Sequence, residues 1–272
     1  MKVREALGAA AARLAGVSDT PRLDAELLMA RALGTEREAL LLSRLDDPAP
    51  DAFGPLLDRR LAHEPVAYIT GRRAFWTIDL DVAPGVLIPR ADSETLIEAA
   101  VAHFGGTRPT RILDLGTGPG TLLLAALDEW PEATALGIDA SVEALAIAEA
   151  NAERLGLSGR ARFRLGDWGE GVDERFDLVL CNPPYVEEEA ALDPQVRDWE
   201  PAGALFAGPD GLDAYRRIAP GLGRLLVPGG IACVEIGAGQ EAAVAALFAA
   251  QGFAVAARRD LAGIVRALML RI

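Results

Sequence analysis

Arg111-Ile112-Leu113-Asp114-Leu115 runs straight into Gly116-Thr117-Gly118-Pro119-Gly120, and Thr121 to Glu129 then follow with helical spacing. A short apolar run bounded by a turn signal reads as a buried parallel strand. Glycines placed between a strand and a helix let the backbone come close to a ligand. Outward from this unit the pattern repeats. Thr134 to Ile138 is a second strand ending at Asp139, and Ser141 to Leu155 is a helix. Ala161 to Leu165 is a third strand ending near Gly166-Asp167-Trp168, and Phe176 to Cys181 is a fourth. Tyr215 to Leu226, Ile231 to Glu235, Gln240 to Ala250, Phe253 to Ala257 and Val265 to Leu270 continue the alternation, with Pro228-Gly229-Gly230 as a turn before the fifth strand. Strand–helix alternation of this kind defines a doubly wound α/β domain, here over residues 89–272.

Residues 1–72 read differently. Val3, Leu7, Ala10, Ala11 and Leu14 have helical spacing, and Thr20-Pro21 reads as an N-cap with proline at the first helical position, opening a helix that Gly34 stops. Glu36 to Arg44 and Asp51 to Ala62 are two more helical stretches, which together make a small helical bundle. Such a bundle serves either as a packing cap or in partner recognition, and position in the chain does not decide between them. Tyr68-Ile69-Thr70-Gly71 and Ala74 to Val82 alternate apolar and polar residues, Pro84-Gly85 is a turn signal, and Val86-Leu87-Ile88 is a further short run. Residues 73–88 therefore read as a β-hairpin linker. Ser93 or Asp92 is expected to cap the helix that follows, Leu96 to Phe104.

The 272 residues carry a net charge of −13, and it is uneven. Residues 1–72 hold 10 Lys+Arg against 11 Asp+Glu, whereas residues 73–272 hold 17 against 29. A broad nucleic-acid surface needs clustered positive charge, so direct nucleic-acid binding is not expected. A basic protein partner fits better, and simple solubility fits equally well. No run of about eighteen apolar residues predicts a membrane span, and the first residues, Met1-Lys2-Val3-Arg4-Glu5, do not resemble a signal peptide. Cys181 and Cys233 sit in apolar strand-like runs and read as reduced core residues of a cytoplasmic protein. His63 and His103 have no ligand-spaced company, so no metal is expected.

Two strand ends carry the chemistry. Asp139 lies about twenty residues beyond the glycine loop, where an acidic side chain holds both hydroxyls of a ribose. A dinucleotide fingerprint would place its third glycine at position 121, which is threonine; the glycine falls at 120. Asp114 beside the loop is a poor neighbour for a pyrophosphate and a good one for a cationic amino-acid ligand. The fourth strand ends in Asn182-Pro183-Pro184-Tyr185. Two prolines force the chain out in a stiff, extended shape. Asn182 Oδ1 and the Pro183 carbonyl can each accept an N–H, and the Tyr185 ring can stack on a planar group.

Asp114 to Gly120, Asp139, Asp167-Trp168 and Asn182 to Tyr185, in this order, resemble the class I S-adenosylmethionine-dependent methyltransferases. The resemblance implies that Asp114, Gly116, Thr117, Gly118, Pro119, Gly120, Asp139, Asp167, Trp168 and Asn182 hold S-adenosylmethionine. More closely, the chain resembles the protein-(glutamine-N5) methyltransferases of peptide chain release factors (the HemK/PrmC type). Glu64 to Gly71, Phe75-Trp76, Gly85 to Arg90, Glu94-Thr95-Leu96, Glu200-Pro201, Leu205 to Leu212, Glu235-Ile236-Gly237 and Asp260 to Gly263 carry that likeness. It implies a glutamine substrate in release factors one and two, Asn182, Pro183 and Tyr185 as catalytic residues, Pro184 and Phe75 as further walls of the glutamine pocket, and a monomer. Ala91 and Ile264-Val265 depart from the family's usual residues. Ribosomal-protein glutamine methylation, nucleic-acid amino methylation and a non-enzymatic scaffold remain alternatives at this level.

Overall fold

In the computed structural model, which describes residues 1–272, the chain divides into two compact units. One is Met1–Arg72 with Leu192–Trp199, and the other is Arg73–Ala191 with Glu200–Ile272. With elements numbered along the whole chain, the first unit holds α1 (Val3–Leu14), α2 (Pro21–Leu33), α3 (Arg37–Ser43), α4 (Phe53–Leu61), α5 (Val66–Thr70) and the single turn α9 (Pro194–Arg197). Leu7, Leu14, Leu28, Met29 and Leu40 are fully buried at its centre. Buried charge is paired there: Arg60 Nε donates to Asp24 Oδ2 at 2.8 Å, and Glu26 accepts from Arg22 and Arg37. Thr20 does not cap α2; its hydroxyl donates to Asp24 instead.

Tyr68-Ile69-Thr70-Gly71 is helical rather than extended, contrary to the alternation in the sequence. Pro65 leads into the turn, the Thr70 hydroxyl donates back to the Val66 carbonyl at 2.9 Å, and Gly71 ends it. Ala67, Tyr68 and Ile69 are all buried in succession, so there was no exposed face for an alternating strand to present.

The second unit begins at Arg73, within the hairpin of β1 (Arg72–Phe75) and β2 (Ile78–Asp81), turned at Trp76-Thr77. It continues with α6 (Glu94–Phe104), β3 (Arg111–Leu115), α7 (Thr121–Glu129), β4 (Thr134–Asp139), α8 (Val142–Arg154), β5 (Ala161–Leu165) and β6 (Phe176–Cys181). After these come α10 (Asp213–Leu222), β7 (Leu226–Glu235), α11 (Glu241–Ala249), β8 (Ala254–Arg259) and β9 (Val265–Arg271). The seven-stranded sheet runs β5-β4-β3-β6-β7-β9-β8, parallel from β5 to β7, with β9 antiparallel to both β7 and β8. Alternate residues of each strand feed two separate cores: Ile112, Leu178, Leu180 and Cys233 on one face, Leu113, Leu115, Val179 and Cys181 on the other. The two free cysteines thus lie on opposite faces of the sheet, and burial pushes both thiols up, Cys233 to about 12. No helix is long and apolar enough to cross a membrane.

Two local expectations change. Val86-Leu87-Ile88 forms no strand, because the Ile88 amide is taken by the Glu200 carboxylate at 3.1 Å rather than by a ladder partner. Pro228-Gly229-Gly230 is not a turn before β7 but an irregularity inside it: pairing with β6 jumps from Leu226 to Ile231 while β6 advances only from Phe176 to Leu178.

Candidate active site

The strand order reverses between β3 and β6, the position where an open α/β sheet leaves a crevice at its carboxyl edge. Leu115 pairs with Cys181, so the next residues on each strand, Gly116 and Asn182, leave the sheet side by side. At the end of β3 the backbone does the shaping. Gly116, Gly118 and Gly120 have φ of 73°, 55° and 86°, a region that L side chains rarely adopt. A Cβ on Gly120 would also stand 2.7 Å from Leu124 Cδ1. The Gly116 and Thr117 amides donate to the Ile138 carbonyl, and the Gly118 amide donates to Asp139 Oδ2 at 2.8 Å. Asp139 Oδ1 accepts from the Ser141 amide, so the carboxylate is fixed at the end of β4 before any ligand arrives.

A cavity of about 570 Å³ opens over these loops. Gly116, Gly118, Asp139, Asp167, Trp168, Asn182 and Pro184 line it. Asp167 is paired with Arg217, which also lines the cavity. Trp168 takes φ 49°, and its ring lies 3.5 Å from where a Cβ on Gly116 would sit. The other residues expected at a cofactor lie behind the loop. Thr117 is buried and donates to Asp114 Oδ2 at 2.7 Å. Asp114 is fully buried, its Oδ1 has no partner, and burial raises its pKa to about 7. Pro119 and Gly120 are buried too, with the Pro119 carbonyl accepting from Asn151 Nδ2 at 3.0 Å.

The tetrad at the end of β6 is held by side chains. Asn182 Nδ2 donates to Ser93 Oγ at 3.1 Å. Tyr185 Oη donates to Glu235 Oε1 at 3.2 Å, and Gln240 Nε2 donates to the Tyr185 carbonyl at 3.0 Å. Burial raises the Tyr185 hydroxyl well above its ordinary value, with the neighbouring Glu235 charge adding to it. Glu235 itself is pushed up to about 7 by burial. Pro183 is buried between these fixed neighbours. Phe75, expected to wall a glutamine pocket, does not line the cavity. It is 1% exposed and packs in the core with Leu80, Leu96 and Leu123, because β1 turns its apolar side inward.

The sequence reading missed Ser93 as a partner of the tetrad, along with Glu235, Gln240, Glu200 and Asn151. Ser93 was expected to cap α6, but it makes no cap bond and faces Asn182. Asn151 bonds the Asp81 backbone at both its N–H and its carbonyl as well as Pro119, tying the hairpin to the glycine loop. A polar amide amid the alanines of α8 was the available signal. Glu200 takes the Ile88 amide and the Arg90 guanidinium, joining two walls of the cavity.

Comparison with known proteins adds identity to this geometry. The PrmC N-terminal domain matches residues 5–71, and a methyltransferase domain matches residues 107–249. The release factor glutamine methyltransferase of Caulobacter vibrioides is 45% identical over 240 residues, covering 86% of this chain and 83% of that protein. The release factor glutamine methyltransferase of Cereibacter sphaeroides is 44% identical over 280 residues, covering 100% of this chain and 99% of that one. Among solved structures, a methyltransferase from Pyrococcus furiosus superposes with a TM-score of 0.52 at 16% identity, over 78% of this chain and 95% of that chain. That likeness is one of fold.

Proposed function

The chain belongs to the family of release factor glutamine methyltransferases, and on that premise we propose which of its residues perform the transfer. The reaction moves a methyl group from S-adenosylmethionine to the side-chain amide N5 of the glutamine in the Gly-Gly-Gln motif of peptide chain release factors one and two, which tunes translation termination. The observation that carries the reading is the position of Asn182: it lines the cavity beside Gly116, with its amide nitrogen already engaged by Ser93.

The residues present fit S-adenosylmethionine. The buried, unpartnered Oδ1 of Asp114 lies under the glycine loop, where a cationic amino-acid moiety would meet a compensating charge. Asp139 would hold the ribose, Asp167 and Trp168 would flank the adenine, and residues 116–120 would follow the methionine part. When bound, the cofactor supplies a methyl group on a sulfonium.

Everything else falls to the chain. A glutamine amide nitrogen is a weak nucleophile because its lone pair is delocalised into the carbonyl. Asn182 Oδ1 and the Pro183 carbonyl accept its two N–H bonds and fix it in line with the methyl group. Oriented acceptors of this kind also stabilise the positive charge that grows on nitrogen in the transition state. Holding the reacting atoms about 3–3.5 Å apart supplies much of the remaining acceleration. Tyr185 packs its ring against the amide plane, with its hydroxyl anchored away from the substrate on Glu235. Forming the new N–C bond would break the methyl group's bond to sulfur, whose electron pair would stay with the departing thioether, and the extra proton on nitrogen would pass to water. The helical unit of residues 1–72 is read as the partner-recognition part.

Transfer of tritium from labelled S-adenosylmethionine tests this directly. Purified release factor, its Gly-Gly-Gln→Gly-Gly-Ala variant, a ribosomal-protein fraction and DNA are each offered. Label on wild-type release factor alone is the expected result. Label on the ribosomal fraction or on DNA overturns the substrate, and no label anywhere overturns the activity.

A further inference from the structure

Behind the tetrad lies a small buried group of polar side chains that the reaction, as just described, does not use. Ser93 is 2% exposed and Glu235 1%. Glu235 Oε1 accepts from Tyr185, while Oε2 is buried with no partner of normal hydrogen-bond geometry. The Ser93 hydroxyl faces this carboxyl and helps stabilise its charge. On its other side Ser93 Oγ accepts from Asn182 Nδ2.

We propose that Ser93, seated by Glu235, is a positioning residue that decides which end of the Asn182 amide faces the substrate. A hydroxyl has a single proton to give. Once ionised, above about pH 7, the Glu235 carboxylate can only accept, and the Ser93 proton is the one at hand for its unpartnered Oε2. The Ser93 oxygen is then left as an acceptor, and the only end of an asparagine amide that can donate to it is Nδ2. With the amide reversed, Asn182 Oδ1 would meet an oxygen with no proton to share, in a site closed to water, which is a costly arrangement. The carbonyl end is therefore the one turned from Ser93, and no protein donor engages it. That end is the one that must receive the N–H of an incoming amide. The proposal rests on the methyltransferase reading for its consequence, but not for its geometry.

Two substitutions separate positioning from packing. Glu235→Gln keeps the volume and can still accept from Tyr185. Its new N–H₂, however, donates to Ser93 and frees the Ser93 proton to hold Asn182 Oδ1, which reverses the amide. Ser93→Ala removes the acceptor altogether, and Ser93→Thr restores it. The assay uses the full-length protein at pH 8.5 with tritiated S-adenosylmethionine and release factor. Ser93→Ala and Glu235→Gln are each expected to lower kcat roughly 10- to 100-fold, the size of a loss of alignment at the reacting atom. The Kd for S-adenosylmethionine by calorimetry and the Tm should change little, and Ser93→Thr should recover most of kcat. Wild-type kcat in both Ser93→Ala and Glu235→Gln overturns the proposal, as does a Ser93→Thr variant as slow as Ser93→Ala.

A second arm needs no activity. In ¹⁵N NMR the side-chain amide protons of Asn182, identified by their loss in Asn182→Asp, should exchange slowly in the wild type and rapidly in Ser93→Ala. Rapid exchange in the wild type overturns the positioning role, whatever the enzyme methylates. Slow exchange with no label on any release factor would leave the positioning role standing and overturn the substrate instead.

Discussion

The ends of β3 and β6 leave the sheet side by side, yet they are built by different means. The end of β3 is shaped by backbone: three glycines at positive φ between Gly116 and Gly120, whose loop amides donate to Ile138 and Asp139 on the neighbouring strand. The end of β6 is shaped by side chains drawn from far along the chain, with Ser93, Glu235 and Gln240 each holding one member of the tetrad. A backbone-built site tolerates change in its neighbours and resists change in its own glycines. A side-chain-built site behaves the other way, and its accuracy depends on residues that never touch the ligand.

The sharpest test of this contrast is Asn182→Ala. It should raise the barrier by roughly 2–4 kcal/mol, as loss of one oriented polar group does, with a far smaller loss of affinity for S-adenosylmethionine. Single-turnover kinetics alongside calorimetry would show it, and wild-type turnover would remove Asn182 from the chemistry. Gly120→Ala should do the reverse. A residue forced to φ 86° against Leu124 costs of order 1–3 kcal/mol, read as weakened cofactor binding with turnover at saturation largely kept.

Asn151→Leu probes the tie between loop and hairpin. It removes the Asn151 bonds to the Asp81 amide and the Pro119 carbonyl, a loss of about 1–3 kcal/mol that a shift in the urea midpoint would report. An unchanged midpoint would mean that the hairpin and the loop hold their shape independently.

Smaller again is a pH effect at Asp114. Its folded pKa is raised to about 7 from 3.8, so the stability it contributes is fully present below about 3.8 and is lost as pH rises through about 7. A cationic ligand favours the ionised form, so affinity for S-adenosylmethionine should climb by less than tenfold per pH unit and flatten above about 7. Asp114→Asn should level both curves, and an unaltered pH profile in that variant would assign the slope to another group. The smallest effect is expected from Glu187, Glu188 and Glu189, which are exposed. Reversing them to lysine should change the KM for release factor only a few-fold, and more at low salt, as rim charges do; a KM that does not move with ionic strength would leave them a solvated loop.

The same contrast explains what the sequence made legible. The β3 loop, Asp139 and the alternation of strands could be read because each is a local pattern: a glycine spacing, an acidic strand end, an apolar period. Ser93 could not, because a serine before a helix is also a good cap, and only the position of β6 shows that its hydroxyl turns inward. Phe75 was misread for the same reason: an aromatic residue next to a family-like motif looks functional until burial places it among Leu80, Leu96 and Leu123. Tyr68 to Gly71 failed on periodicity, since four residues cannot separate a strand from one helical turn. Pro228-Gly229-Gly230 looked like a stop, but β7 absorbs it as an irregularity because Gly230 can lie against the Phe176 and Asp177 carbonyls.

The sheet order also sets a timetable. β9 is synthesised after β8, yet it lies between β7 and β8 and pairs with both. Until Val265–Arg271 joins the sheet, β7 has a bare hydrogen-bonding edge and β8 has no strand to pair with. A chain in that state is open to edge-to-edge pairing with another copy. Docking of Val265–Arg271 between the two strands closes the gap. The strand that carries none of the chemistry is thus the one that closes the sheet, and a chain without it would hold its binding loops on a sheet still open.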